Sequence, residues 1–150
     1  MTNLENILKQ AKQVPNRQKG DLYIGLDLDD CVNYANNFFS AITHGVEETH
    51  YQSENKAYII MITGRRECHR EMTEDLLKKL NVRYDYLLMY DKEKSECDVP
   101  EWKGRLAKWL DLDVFIDNSR ENINAVYKYS PRTVCFQRLS PNDAGNNNEQ

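Results

Sequence analysis

Five short apolar runs punctuate the middle of the chain. They are Tyr23 to Leu28, Tyr58 to Ile62, Tyr86 to Met89, Val114 to Ile116 and Thr133 to Phe136. They are nearly continuous in apolar residues rather than alternating, which predicts strands covered on both faces. Helical periodicity fills the gaps. Candidate helices span Val32 to Thr43, Glu67 to Leu80, Glu101 to Leu110 and Ser119 to Tyr129, the last with a capping residue at Asn118 or Ser119. Met72, Leu76, Leu77 and Leu80 share one face of the second; Trp102, Leu106, Trp109 and Leu110 mark the third. A β-α-β-α alternation with connections this short predicts an α/β fold of three layers. It is Rossmann-like, with a mainly parallel five-stranded sheet.

The ends read differently. Residues 2–13 carry Leu4, Ile7 and Leu8 at helical spacing, and residues 14–20 form a polar, turn-rich connector. The expected organisation is an N-terminal helix and connector over 1–20, a catalytic domain over 21–138 and a flexible tail over 139–150.

A parallel sheet directs attention to the carboxyl ends of its strands, where ligands bind. Four of the five strands end in polar clusters there. The first reads Asp27-Leu28-Asp29-Asp30, the second Thr63-Gly64-Arg65-Arg66, the third Tyr90 to Lys94, and the fourth Asp117-Asn118-Ser119-Arg120. Phosphoryl transfer needs a nucleophile, a counter-charge for the phosphoryl group and a proton source for the leaving oxygen. Asp27 can attack phosphorus, and Asp29 can protonate the leaving group and then activate water. A carboxylate attacking a phosphate dianion needs a cation beside it, and magnesium suits an oxygen-rich site. Asp117 can be a second metal carboxylate, with Asn118 a neutral oxygen ligand. Thr63 can donate to a phosphoryl oxygen, and Gly64 lets the backbone approach it. Lys103, at the start of the third helix, could reach the phosphoryl oxygens and Asp27. Leu28, Asp30, Arg65 and Arg66 complete the expected substrate-binding surface. A helix cap or a solvated charge explains each of these residues singly; their order on successive strand ends does not reduce to that.

This combination resembles the haloacid dehalogenase superfamily of phosphatases. The matching motifs are D-x-D at Asp27 and Asp29, Thr63, Lys103, and the acidic Asp117-Asn118, within roughly residues 21–136. The resemblance implies an aspartyl-phosphate at Asp27 and acid–base work by Asp29. It also implies phosphoryl contacts from Thr63 and Lys103. Magnesium would be held by Asp27, the Asp29 carbonyl and Asp117, with Asn118 nearby. Two positions depart from the pattern: Cys31 stands where Thr or Val is usual, and Asn118 replaces a frequent second Asp.

Members of that superfamily usually guard the site with an inserted domain. Here Asp29 and Thr63 are 34 positions apart, and Thr63 and Lys103 are 40 apart. Neither interval holds such an insertion beside its required helix and strand, so the site should be open. Water would be excluded by substrate, small loops or another subunit. The stretch from Thr63 to Met89 is also similar to polynucleotide 3′-phosphatase domains, with Arg65, Arg66 and Arg70 placed to meet further phosphates. Deoxyribonucleotidase-like members share the acidic first motif. The expected substrate is a phosphorylated small molecule, a polynucleotide end or a phosphoprotein. The alternatives are a weakly catalytic phosphate-binding module and a protein phosphatase.

Composition narrows the setting. The 150 residues carry a formal net charge of −4, which argues against wholesale coating of nucleic acid. Cys31, Cys68, Cys97 and Cys135 are widely spaced and suggest neither a disulfide framework nor a zinc site. No stretch approaches the length of a membrane span. A soluble cytoplasmic protein with no membrane partner is the expectation.

Overall fold

The structure is a computed structural model that describes residues 3–29 and 56–139. The candidate helix at 32–43 and the tail from residue 140 lie outside these residues. Asp30 and Cys31 do so as well.

Five parallel strands form one sheet in the order β3-β2-β1-β4-β5. They are β1 (Leu22–Leu26), β2 (Ala57–Arg66), β3 (Tyr86–Tyr90), β4 (Val114–Asp117) and β5 (Val134–Gln137). The helices are α1 (Asn3–Ala11), α2 (Arg70–Lys79), α3 (Lys92–Ser95), α4 (Val99–Leu110) and α5 (Arg120–Tyr129), with a 3-10 turn at Glu67–His69 before α2. Among the described residues, four of the five helices and every strand coincide with the apolar pattern. The exception is α3, four residues reading KEKS, which has no apolar face to betray it.

Strand alternation explains why the runs are apolar throughout. Ile24, Leu26, Ile59, Met61, Leu87 and Met89 bury on one face with Leu77 of α2. Tyr23, Ile60, Ile62, Leu88 and Phe115 bury on the other with Ile7, Trp102, Leu106, Ile123 and Val126 of α1, α4 and α5. Successive residues of each strand thus serve two cores. Helices α4 and α5 approach closely because residue 104 is glycine. A Cβ there would lie 2.7 Å from the Ala125 carbonyl oxygen.

Helix α1 is stitched to the sheet by one amide. Gln10 Nε2 donates to the Met89 carbonyl at 2.7 Å, and Gln10 Oε1 accepts from the Trp102 indole N–H at 2.7 Å. Between Thr63 and Lys103 the chain is consumed by α2, β3, α3 and the start of α4, with no inserted domain. Among the described residues no helix is long and apolar enough to cross a membrane.

Candidate active site

The strand order reverses direction at β1, between β2 and β4. Ligands of open parallel sheets sit at such a point, beyond the carboxyl ends. Pairing Leu26 with Ile116 puts Asp27 and Asp117 in adjacent positions on neighbouring strands. The Asp27 N–H continues the ladder by donating to the Ile116 carbonyl at 2.9 Å. Alternation turns both aspartates to the face shared by Tyr23 and Phe115, which is the face covered by α4.

Two like charges side by side destabilise a sheet unless something offsets them. Lys103 does so. Asp98 caps α4 by accepting from Glu101 N, which fixes the helix start and sets Lys103 in its second turn. Lys103 Nζ donates to Asp27 Oδ1 at 2.7 Å and to Asp117 Oδ2 at 2.8 Å. The side-chain exposures are 1% for Lys103, 7% for Asp27 and 0% for Asp117. Burial raises the Asp27 carboxyl to about 6, against the pull of the Lys103 ammonium and with the help of the Asp117 charge. Burial works against the Lys103 ammonium too, but Asp27 and Asp117 outweigh it and hold it above its ordinary value.

Asp117 is oriented by two further donors. The Ser119 N–H reaches its Oδ1 at 2.9 Å, and Asn122 Nδ2 reaches its Oδ2 at 3.0 Å. Nothing in the sequence singles out Asn122. It sits in the first turn of α5, where polar residues usually face water, and its spacing from Asp117 matches no motif. Asn118 contributes its carbonyl to Gln137 Nε2 at 3.3 Å.

A second cluster lies beside the trio. Pairing of β2 with β3 shifts register between Thr63 and Arg66, so Gly64 and Arg65 bulge out of the ladder. The bulge aims Arg65 at Asp29. Its Nε lies 3.1 and 2.9 Å from the two carboxylate oxygens, and Nη2 lies 2.8 Å from Oδ1. Thr63 is fully buried, and its hydroxyl oxygen accepts from the Arg65 N–H at 3.1 Å. Gly64 faces α4, where a Cβ would stand 3.2 Å from Val99 Cγ1; the missing side chain makes room for the helix start. Leu28 is buried in the α2-side core, leaving only its backbone to face a ligand. Arg66 is exposed. Arg70 is engaged by Glu67, Glu74 and the Leu87 carbonyl.

The structure therefore brings Asp27, Lys103 and Asp117 into one contact, and Asp29, Arg65 and Thr63 into another. Among the described residues no three His, Cys, Asp or Glu side chains converge as a metal-binding group. Magnesium does not require three. It characteristically keeps several waters and takes one or two carboxylates. Asp27 and Asp117 supply two, and with Lys103 they leave a buried net charge of −1 when both are ionised. Those residues fit a hydrated divalent cation.

Two solved structures of the Pnkp1/Rnl/Hen1 RNA repair complex contain a chain similar to this one. The first match has a TM-score of 0.58 at 18% identity and covers 83% of this chain and 45% of the other. The second has a TM-score of 0.54 at 19% identity and covers 83% and 48%. At this identity the likeness is one of fold, and the chain spans less than half the length of its neighbours. No family profile matches the chain, and no curated protein sequence matches it.

Proposed function

We propose that this chain is a magnesium-dependent phosphomonoesterase that removes phosphate from nucleic-acid ends through an aspartyl-phosphate at Asp27. One observation carries the reading: a buried lysine joins two adjacent aspartates at the point where the sheet reverses its strand order. The second carboxylate leaves one negative charge beyond what Lys103 neutralises, which a divalent cation would offset before a phosphoryl group could approach.

In this reading Asp27 attacks phosphorus and the bond to the leaving oxygen breaks. Asp29 passes a proton to that oxygen. It then takes one from water, which attacks phosphorus, frees inorganic phosphate and restores the Asp27 carboxylate. Lys103 moderates the repulsion between Asp27, Asp117 and the incoming phosphoryl oxygens. Asn122 and the Ser119 N–H hold Asp117 in place. Magnesium held by Asp27 and Asp117, with Asn118 nearby, would supply the remaining positive charge for the phosphoryl oxygens. The fold neighbours belong to an RNA repair complex, which favours a nucleic-acid end as substrate. The Thr63 to Met89 stretch, similar to polynucleotide 3′-phosphatase domains, favours it too.

A second reading has its own observation. Arg65 engages both oxygens of Asp29, and a proton transfer requires that grip to loosen. A weakly catalytic phosphate-binding module would keep it closed. The deciding measurement is phosphate release from p-nitrophenyl phosphate and from a 3′-phosphorylated oligonucleotide, with magnesium and with chelator. The phosphatase reading expects turnover that chelation removes and that Asp27→Asn lowers by about 10³-fold or more, since the nucleophile is gone. Undiminished turnover in Asp27→Asn would sink it. Silence of the wild-type protein on both substrates would favour the binding module.

A further inference from the structure

Beside the candidate active site, at the carboxyl ends of β2 and β3, lies a cleft of about 680 Å³. Its walls come from Arg66, Tyr90, and Lys92 and Lys94 of the short helix α3. Three carboxylates also border it. Glu67 is paired with Arg70, and Asp91 caps α3 by accepting from Glu93 N and Lys94 N but keeps its charge. Asp91 and Glu93 therefore stand against three cations, which leaves the cleft with a net positive charge. Arg66, Lys92 and Lys94 are all exposed, and no carboxylate among the described residues pairs with them.

The aromatic wall is rigid. The Tyr90 hydroxyl donates to the Cys97 carbonyl, and its ring meets the Trp102 ring edge-on with centroids 5.5 Å apart. Its hydroxyl is thus turned inward, while Tyr90 itself borders the cleft. A fixed aromatic side chain beside exposed cations is the arrangement that holds one unit of a single strand: the base stacks and the backbone phosphate meets the charges. The cleft also has the right register. Arg66 is three residues beyond Thr63 on the same strand, no more than about 10 Å of extended chain. The same bulge turns Arg65 toward Asp29 and returns Arg66 to the ladder opposite Tyr90.

We infer that this cleft holds the nucleotide next to the terminal phosphate, its base on the Tyr90 ring and its backbone phosphate on Arg66, Lys92 and Lys94. The ligand class is a single-stranded polynucleotide rather than a mononucleotide. The register rests on the reading above, that the terminal phosphate lies at Asp27; the presence of a nucleotide site can be tested apart from it.

The test has two arms. In the first, kcat/KM is measured for p-nitrophenyl phosphate, a nucleoside 3′-phosphate and a 3′-phosphorylated trinucleotide. Wild type should favour the trinucleotide over the mononucleotide by tenfold or more. Arg66→Ala, Tyr90→Leu and the double variant Lys92→Ala, Lys94→Ala should each erase most of that preference. Tyr90→Phe, which keeps the ring, should retain it. In the second arm, fluorescence anisotropy follows binding of a labelled 3′-phosphorylated oligonucleotide to Asp27→Asn protein across a salt series. Removing one phosphate-binding cation should lower the log–log salt slope by about 0.7. Tyr90→Leu should weaken binding about tenfold with the slope unchanged.

Variants that keep wild-type trinucleotide preference and wild-type binding would overturn the cleft while leaving the phosphatase reading intact. Cleft-dependent binding by a wild-type protein that hydrolyses nothing would overturn the phosphatase reading and the register, while the nucleotide site stood. Preferential hydrolysis of a phosphopeptide, altered by the cleft variants, would overturn a polynucleotide as its occupant.

Discussion

Replacing Lys103 by Met removes the charge that two buried aspartates share while nearly preserving the volume of the side chain. Little cavity cost is therefore expected. The electrostatic cost is larger. Removing one partner of a buried ion pair typically costs about 3–5 kcal/mol, because the other charge is left uncompensated. Here two carboxylates are left, both with side-chain exposures of 7% or less and adjacent on paired strands. Urea unfolding in chelator at a pH of about 7.5 should show a loss at or above that range. The loss should shrink in acid. Burial already raises Asp27 to about 6 in the wild type, and without the ammonium that pulls it down the folded-state value rises further. Between its ordinary value of 3.8 and this raised value the folded protein binds more protons than the unfolded one. Stability of the variant therefore falls as pH rises through that window and is recovered as pH drops toward about 5. Magnesium at about 100 times its dissociation constant should return about 2.7 kcal/mol. A variant within about 1 kcal/mol of wild type in chelator, or one whose loss is the same at both pH values, would refute the account.

Two other variants probe neighbouring features. Gly104→Ala places a Cβ against the Ala125 carbonyl oxygen, which is backbone and cannot rotate away, and should destabilise by about 1–3 kcal/mol in urea unfolding; an unchanged midpoint would mean α4 and α5 can separate freely. Arg65→Lys keeps a positive charge but cannot reproduce the bidentate grip on Asp29. If Asp29 is the proton donor and that grip must loosen for the transfer, phosphate release from an alkyl phosphate should rise by about tenfold, and release from p-nitrophenyl phosphate, whose leaving group needs little protonation, should change much less. Equal changes would argue that Arg65 serves binding alone.

The strands were legible because burial on both faces leaves a signal that needs no partner information. Ile59 to Ile62 are all apolar since alternate residues face different cores. Asp27 and Asp117 were legible for a related reason: strand ends in a parallel sheet face a common edge, and acids there stand out after an apolar run. Lys103 was legible only through its order along the chain. Its burial was not, since a lone lysine on a helix is ordinarily solvated, and only the docking of α4 over the β1–β4 pair encloses it. Helix α3 leaves no trace in the apolar pattern because an Asp91 cap and a left-handed Glu96, with φ of 56°, define it rather than any apolar stripe. Asn122 leaves none either, because a hydrogen bond between a helix and a preceding strand has no periodicity. Arg65 and Arg70 have the sequence setting of phosphate contacts, yet the folded chain engages both with its own carboxylates.

Gln10 carries a consequence for which sequences this fold tolerates. Its amide meets a carbonyl on one side and an indole N–H on the other. A carboxylate would satisfy the indole and face the carbonyl with a second acceptor. An ammonium would do the reverse. A thioether or aliphatic chain of the same length would leave both groups, which belong to fully buried residues, without a partner. Residue 10 thus meets two opposite polarities at once, and only a side chain that carries both a donor and an acceptor at this reach answers both. A position on a helix with an exposed outer face is in this respect as tightly specified as the aspartates.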